Sequence, residues 1–512
     1  SDMTYDYNPY RELGISPEAT EKEIKRAYHK LAQRLHPDKN RIRAAEKQFQ
    51  RINNAYNLLM DPVQRRQYEE HQSDREGTSS GYFTMRVTPS KRAFAPIPEA
   101  QVVYLLTEIM ASPDAERSNK ADVNLNLTLI IDQSNSMSDE NRMKKVKAAA
   151  QEIIGQLKPQ DILSVVSFND RANVVIPAQN ASDPNKLKAR ISMMKPFAST
   201  AMYEGLNAGL EQNLKYLNKN MVNHIILLTD GHTYGDEDEC ISLAQRAKDK
   251  GISLTAMGLG TDWNDKFLDQ LASTTGGNSI YVNSINLVRD FLDDQIRSLS
   301  NAYAERMELV IAPDQDVMLE MAFKLSPSPQ PLVAEDGVIP LGSLQPKRPI
   351  AVLMQLQLPG DMDVDYRSMA RITAEGDILQ NRPQAFQAVS DLTIEVTETP
   401  ATDEKPPSVI VDALSKLTLY RLQEKAQEAL ENGDIDEATR QLEYLSTRLY
   451  NMGEEQLGKQ AMLEAHHVKN TKTFTSAAGK LTLKYTTRSL VGTSGLQDLI
   501  TSMFDQKQQA GD

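Results

Sequence analysis

Between residues 124 and 302, short continuous apolar runs alternate with stretches of helical periodicity, and few folds accept that alternation. Runs at 124–132, 162–168, 172–176, 222–229, 252–258 and 279–282 have strand length. Helical patterns fall at 142–157, near 184, near 202, at 236–250, after 264 and from 285. Strands that are apolar throughout must be covered on both faces, so the pattern predicts a mostly parallel sheet sandwiched between helices. In such sheets ligands bind beyond the carboxyl ends of the strands.

That location collects one class of donor. Asp132, Ser134 and Ser136 follow the first run, Asp230 follows the run at 222–229, and Thr200 lies between them in FASTAMYEG. All five offer oxygen, which suits a hard cation with positions left for water. An aspartate-serine loop alone is weak, because these residues also cap helices. Asp-x-Ser-x-Ser, then a loop threonine, then Thr-Asp-Gly, each at its place in the series, resembles the metal-ion-dependent adhesion site of von Willebrand factor A (VWA) domains. The resemblance implies Mg²⁺ or another hard divalent cation, with Ser134, Ser136 and Thr200 as direct ligands. Asp132 and Asp230 would act partly through water, and an acidic residue of a protein ligand would fill the open position. Asn135 stands where the family usually has glycine; asparagine tolerates unusual backbone angles, so the loop is expected to form. A bound cation is a Lewis acid. No general base or nucleophile motif accompanies it, so a metal-dependent hydrolase is the weakest reading and no enzyme activity is expected.

The first seventy residues are helical in pattern. Ser16-Pro17 reads as a cap followed by proline at the first helical position. Ile24, Ala27, Tyr28, Leu31, Ala32 and Leu35 form one stripe, and Ala45, Phe49, Ile52, Ala55, Tyr56 and Leu59 a second. Pro37 ends the first helix. Two such helices joined by a short loop pack antiparallel. Lys22, Lys25, Arg26, Lys30 and Arg34 occupy the other face of the first. DYNPYRELGIS, EIKRAYHKLAQRLHPDKN and FQRINNAYNLLMDPVQRRQY together resemble a DnaJ-type J domain, with His36-Pro37-Asp38 at its signature tripeptide. The resemblance implies binding to a DnaK-type chaperone of the heat-shock 70 family and stimulation of its ATPase. His36, Pro37, Asp38, Tyr28, Lys25, Arg26 and Lys30 would make the contact, and His29 replaces a common lysine. A cationic face steers toward an anionic partner, and Asp38 can pair with an arginine. The family's glycine/phenylalanine-rich region and CxxCxGxG repeats are absent.

Strand-like stretches flank the α/β unit at 82–87, 101–109, 306–311, 317–323, 350–358 and 392–396, separated by Pro and Gly turns. They predict an antiparallel sandwich into which the A domain is inserted, an arrangement similar to relatives of inter-alpha-trypsin inhibitor heavy chains. After PATDEKPPS a helical hairpin turns at Asn432-Gly433. The expected fold class is multidomain α/β plus α plus β: a J domain at 3–71, a linker at 72–81, sandwich strands at 82–112, a doubly wound VWA domain at 122–302, the rest of the sandwich at 303–398, a helical hairpin region at 407–490 and a tail at 491–512. In that tail Leu496, Leu499, Ile500, Met503 and Phe504 share one helical face.

A net charge of −13 argues against nucleic acid as the main partner. One cysteine, Cys240, excludes a disulfide framework and reads as a buried thiol. No apolar run is long enough to span a bilayer, no signal-peptide pattern stands in the first residues, and a cytoplasmic protein without a membrane partner is expected. The leading reading is a co-chaperone adaptor that targets a DnaK-type ATPase through metal-dependent binding. The alternative is an assembly subunit of a larger complex, such as one built on an AAA-type ATPase.

Overall fold

The computed structural model describes residues 8–73, 83–112, 123–133, 140–169, 171–194, 202–229, 235–259, 265–282, 287–334, 336–379, 384–401, 405–451 and 455–471. The first unit holds α1 (Pro9–Leu13), α2 (Glu21–Leu35), α3 (Arg43–Met60) and α4 (Pro62–Ser73). The expected stripes meet between α2 and α3, with Ile24, Leu31, Leu35, Ala45, Ile52, Ala55 and Leu59 buried together. The start of α2 differs from the sequence reading. Ser16-Pro17 forms a turn, and the helix begins after Thr20, which makes a reciprocal capping box with Glu23. Thr20 and Glu23 each satisfy an N-terminal amide of the other, whereas Ser16 bonds only Glu18 and its own loop.

Next come β1 (Phe83–Pro89), β2 (Ala93–Phe94) and β3 (Gln101–Ala111). The α/β unit runs β4 (Leu125–Asp132), α5 (Glu140–Gln156), β5 (Ile162–Phe168), β6 (Ala172–Asn180), α6 (Pro184–Ser192), α7 (Met202–Leu214), β7 (Val222–Thr229), α8 (Glu237–Asp249), β8 (Ser253–Leu259), α9 (Asp265–Thr274), β9 (Ser279–Val282) and α10 (Val288–Ser300). Its sheet has the order β6-β5-β4-β7-β8-β9. Every pair is parallel except the edge pair β5–β6. Apolar side chains on the two faces form separate cores under the two helical layers, which is why β4, β5, β7 and β8 are buried along their whole length.

The chain then returns through β10 (Ala304–Pro313), β11 (Met318–Ser326), β12 (Gln330–Leu332), β13 (Val338–Leu344), β14 (Ile350–Leu358), β15 (Asp365–Ile378) and β16 (Gln384–Val396). These and β1–β3 make two five-stranded sheets, β1-β3-β14-β11-β12 and β13-β10-β15-β16-β2. One apolar core lies between them, so strands from both sides of the α/β unit build a single sandwich. The C-terminal segment is α11 (Ser408–Glu431), α12 (Ile435–Asn451) and α13 (Glu455–Thr471). A turn at Asn432-Gly433, with Gly433 at φ +76°, joins the first two as expected, and a third helix is added to the hairpin to close a small core. The tail at 491–512 lies outside the described residues.

The sandwich is the hub. Val310, Ala312 and Val338, on the outer face of one sheet, share a cluster with the core of α1–α4. Leu106, Phe323, Leu325 and Leu353, on the outer face of the other, pack against Ile410, Ala413, Leu417 and Tyr420 of α11. The α/β unit meets the sandwich at the loops preceding β7, β8 and β9, through Lys219, Gly251 and Gly276. Because those strands are parallel, their carboxyl ends lie at the far side of the sheet.

Candidate functional sites

The far side of the α/β sheet carries Asp132. It ends the central strand β4, is fully buried, and accepts a hydrogen bond from the Thr229 hydroxyl at the end of β7, 2.9 Å away. Gln133, next along, donates its amide to the Phe168 carbonyl at the end of β5. Three neighbouring parallel strands therefore finish together around one carboxylate. Ser134, Ser136, Thr200 and Asp230 lie outside the described residues, as does Trp263. Among the described residues no group of three His, Cys, Asp or Glu side chains forms a metal cluster. A buried carboxylate beside a hydroxyl, with Ser134 and Ser136 following the first in the chain and Asp230 the second, is a hard-oxygen donor set that fits a divalent cation of the Mg²⁺ type.

The second site is the loop after α2. The His36 carbonyl accepts amide hydrogens from Lys39 and Asn40, both at 2.9 Å, and the Asp38 amide donates to His36 Nδ1 at 3.2 Å. The His36 ring stands edge-on to Phe49, 5.2 Å between centroids. The tripeptide is thus a tight turn pinned to α3 yet open to water: the Asp38 side chain is 89% exposed. Lys25, Arg26 and Lys30 are exposed on α2, with Lys25 paired to Glu21 at 2.7 Å. Tyr28 is half-buried, stacked on Tyr56 and donating to Asn53. Arg34 leaves this face; it turns to Asp314 at 3.1 Å and Asp391 at 3.6 Å on the sandwich. A cleft of about 580 Å³ opens beside Asp38, lined by 38–42 and by 313–319 of the sandwich.

The helical unit is held to the sandwich by a polar seam that periodicity did not reveal. Arg371 of β15 is fully buried and bonds both the carboxylate (2.8 Å) and the carbonyl of Glu12, itself fully buried, and Asp391 at 3.1 Å. Burial raises the Glu12 pKa, with the guanidinium groups of Arg371 and Arg51 pulling the other way. Ala44, Lys47, Gln48 and Arg51 lie three and four residues apart on α3, a stripe that reads as solvated. In the fold Lys47 meets Glu308 (2.5 Å) and Glu375 (3.3 Å), Arg51 meets Glu375, and Gln48 donates to Thr373 (2.6 Å). The Ala44 amide donates to the Asp336 carbonyl, and Asn40 to the Pro313 carbonyl. Gly337, at φ +72°, makes the approach possible: a Cβ there would stand 2.7 Å from the Ala44 Cβ. The available signal was a lone arginine, Arg371, inside an otherwise strand-like Met-Ala-Arg-Ile-Thr-Ala run.

Fold and motifs together define a two-headed chain: it carries a DnaJ domain, matched over residues 8–69, and a von Willebrand factor type A domain, matched over 126–294. The helices at the end match the Sll0103-like C-terminal alpha-helical domain over 408–493. The uncharacterized protein sll0103 of Synechocystis is 28% identical over 334 residues, 62% of this chain and 77% of that one. Chaperone protein DnaJ 1 of Mycobacterium leprae is 51% identical over 61 residues, 12% of this chain and 16% of its own length, so that likeness covers the helical unit only. Among solved structures, a von Willebrand factor type A protein from Catenulispora acidiphila superposes with a TM-score of 0.61 at 16% identity, covering 78% of this chain and 98% of its own. That is a likeness of fold. The DnaJ match implies a partner of the heat-shock 70 type, and the VWA match implies protein–protein interaction.

Proposed function

We propose that this chain is a co-chaperone adaptor: the J domain stimulates a DnaK-type ATPase, and the VWA domain selects where that happens. One observation carries the reading: His36, Pro37, Asp38 and the side chains of Lys25, Arg26 and Lys30 stay open to solvent while other side chains of the same domain, among them Glu12, Arg34 and Asn40, are anchored to the sandwich. An anchored J domain presents its chaperone face in a constant direction. Attraction between its cationic helix and an anionic chaperone surface weakens with salt.

The targeting half rests on Asp132, Ser134, Ser136, Thr200 and Asp230, the residues that would hold a hard divalent cation such as Mg²⁺. When bound, that cation offers an open coordination position to a partner carboxylate. Asp132 is already fixed at the sheet end by Thr229. No nucleophile–base pair stands among the described residues of either site; we propose that the chain performs no enzymatic turnover itself and works in the cytoplasm with DnaK-type chaperones. Single-turnover ATPase assays with purified DnaK-type chaperone test the first half: stimulation by wild type and its loss, tenfold or more, in His36→Gln. Partner capture with and without chelator, comparing wild type with Asp132→Ala, tests the second. Equal stimulation by His36→Gln, or identical partners in every capture, sinks the corresponding half.

A further inference from the structure

The seam between the α/β unit and the sandwich contains a lysine that, among the described residues, has no partner. Lys324, on β11, is 1% exposed. Its backbone is in register with Gln330 and Val352, but among the described residues its ammonium makes neither a hydrogen bond nor an ion pair. Several polar groups of this seam are matched to one another. Gln330 accepts from the Ser279 amide (3.0 Å) and donates to the Asp269 carbonyl (3.2 Å). His224 and Thr255 bond each other at 2.7 Å. Glu305 accepts from Ser343.

Lys324 lines a cavity of about 110 Å³ at this seam, walled by β7, β8, β9 and α10 on one side and by β11, β13 and the loops that follow them on the other. One water needs only about 10–15 Å³, so the space holds several waters or one small oxyanion. Arg348 lines it too; the contact its guanidinium makes among the described residues is to the Pro327 carbonyl, 3.2 Å. Asn278 also lines the cavity, and its buried side-chain carbonyl has no hydrogen-bond partner. Asp294 is an exposed carboxylate on the same lining and makes no ion pair with Lys324. Burial lowers the Lys324 pKa to about 8, so the side chain still carries charge at neutral pH. An unpaired buried charge is costly, and domain seams are common ligand sites.

We propose that this cavity binds a small oxyanion that keeps one hydroxyl hydrogen, with hydrogen phosphate as the type. Lys324 and Arg348 attract its charged oxygens, and the Asn278 side-chain carbonyl accepts a hydrogen bond from its hydroxyl. Phosphate there joins the two domains, because Lys324 and Arg348 belong to the sandwich and Asn278 to the α/β unit. The site lies at the opposite end of the parallel sheet from Asp132 and is independent of the adaptor reading.

The test is calorimetric titration of the full chain with inorganic phosphate, and with sulfate at matched ionic strength. Saturable phosphate binding is expected, at least tenfold weaker in Lys324→Met and measurably weaker in Arg348→Gln. Sulfate, which lacks the proton at neutral pH, should bind more weakly than phosphate. Thermal melts give a second readout. Lys324→Met should melt above wild type in phosphate-free buffer, since a buried lone cation is removed, and should lose the phosphate-dependent rise. No heat with phosphate, unchanged binding in Lys324→Met, or sulfate binding equal to phosphate overturns the assignment. A phosphorylated small molecule binding where free phosphate does not would also overturn it as stated and identify a larger ligand.

Discussion

The J domain and the VWA domain are attached to the same sandwich with different balances of covalent connection and polar bonding. The VWA domain enters and leaves through sandwich strands, β3 before it and β10 after it, so two covalent connections confine it. Its seam combines close backbone approach, as where Gly276 meets the Gly342 backbone, with a few directional bonds: Gln330 to Ser279 and Asp269, Arg306 to the Lys219 carbonyl, and Lys248 to Glu308 at 3.8 Å. The J domain has one chain connection to the rest, and what holds it must be non-covalent. Its seam is accordingly rich in ion pairs, one fully buried, Glu12–Arg371, and three partly buried, Arg51–Glu375, Lys47–Glu308 and Arg34–Asp314. A domain inserted into another can rest on sterics, whereas a domain on a single leash needs directional bonds to choose one orientation. Buried ion pairs add little net stability against apolar packing but penalise every misaligned pose.

Changes at the two seams should break this comparison to different degrees. Arg371→Ala leaves Glu12 buried and unpaired and should cost about 3–5 kcal/mol, read by denaturant midpoint. Replacing both partners, Glu12→Leu with Arg371→Met, should recover most of that loss. Hydrogen exchange in α1 and α3 should rise in Arg371→Ala while stimulation of the chaperone ATPase persists, because the His36 turn is built within α2 and α3. At the other seam, Gly276→Ala forces a side chain at φ +81° with its Cβ 2.7 Å from the Gly342 nitrogen, and should cost about 1–3 kcal/mol.

A third measurement separates the α/β seam by pH. Burial lowers the His224 pKa to about 3, and Lys324 and Arg348 line the same cavity. The unfolded chain protonates this histidine below about 6.5 and the folded chain does not, so stability falls as pH drops from about 6.5 toward 3. The slope is about 1.4 kcal/mol per pH unit for this one group. Equilibrium melts of wild type against His224→Gln isolate it, and equal pH dependence would count against the buried neutral ring. The smallest effect belongs to the rim of the J-domain seam. Arg43 faces Asp336 at 4.0 Å with both half exposed, and Arg43→Ala should change stability by about 0.5 kcal/mol or less.

Much of the architecture was legible because periodicity reports burial directly. The strands at 162–168, 222–229, 279–282 and 350–358 coincide with β5, β7, β9 and β14, each apolar enough to declare itself. β15 was not visible: Arg371, Thr373 and Glu375 alternate with apolar residues, and nothing local says that another domain covers their face. The candidate metal site shows the same limit from the other side. Asp132 could be placed at a strand end from the sequence, but its bond from Thr229 depends on β4 and β7 being neighbours, although 97 positions separate the two residues.

By itself the chain's pattern determined the local elements, the two motif-bearing units and the order in which they occur, since helix and strand periods and turn residues act over a few positions. Only tertiary structure decided that the polar stripe of α3 meets the sandwich, that Arg34 faces the sandwich, and that Lys324 lines a cavity at a domain seam. A charged side chain carries the same covalent chemistry in water and in an interface. Its role is set by the surface that comes to cover it.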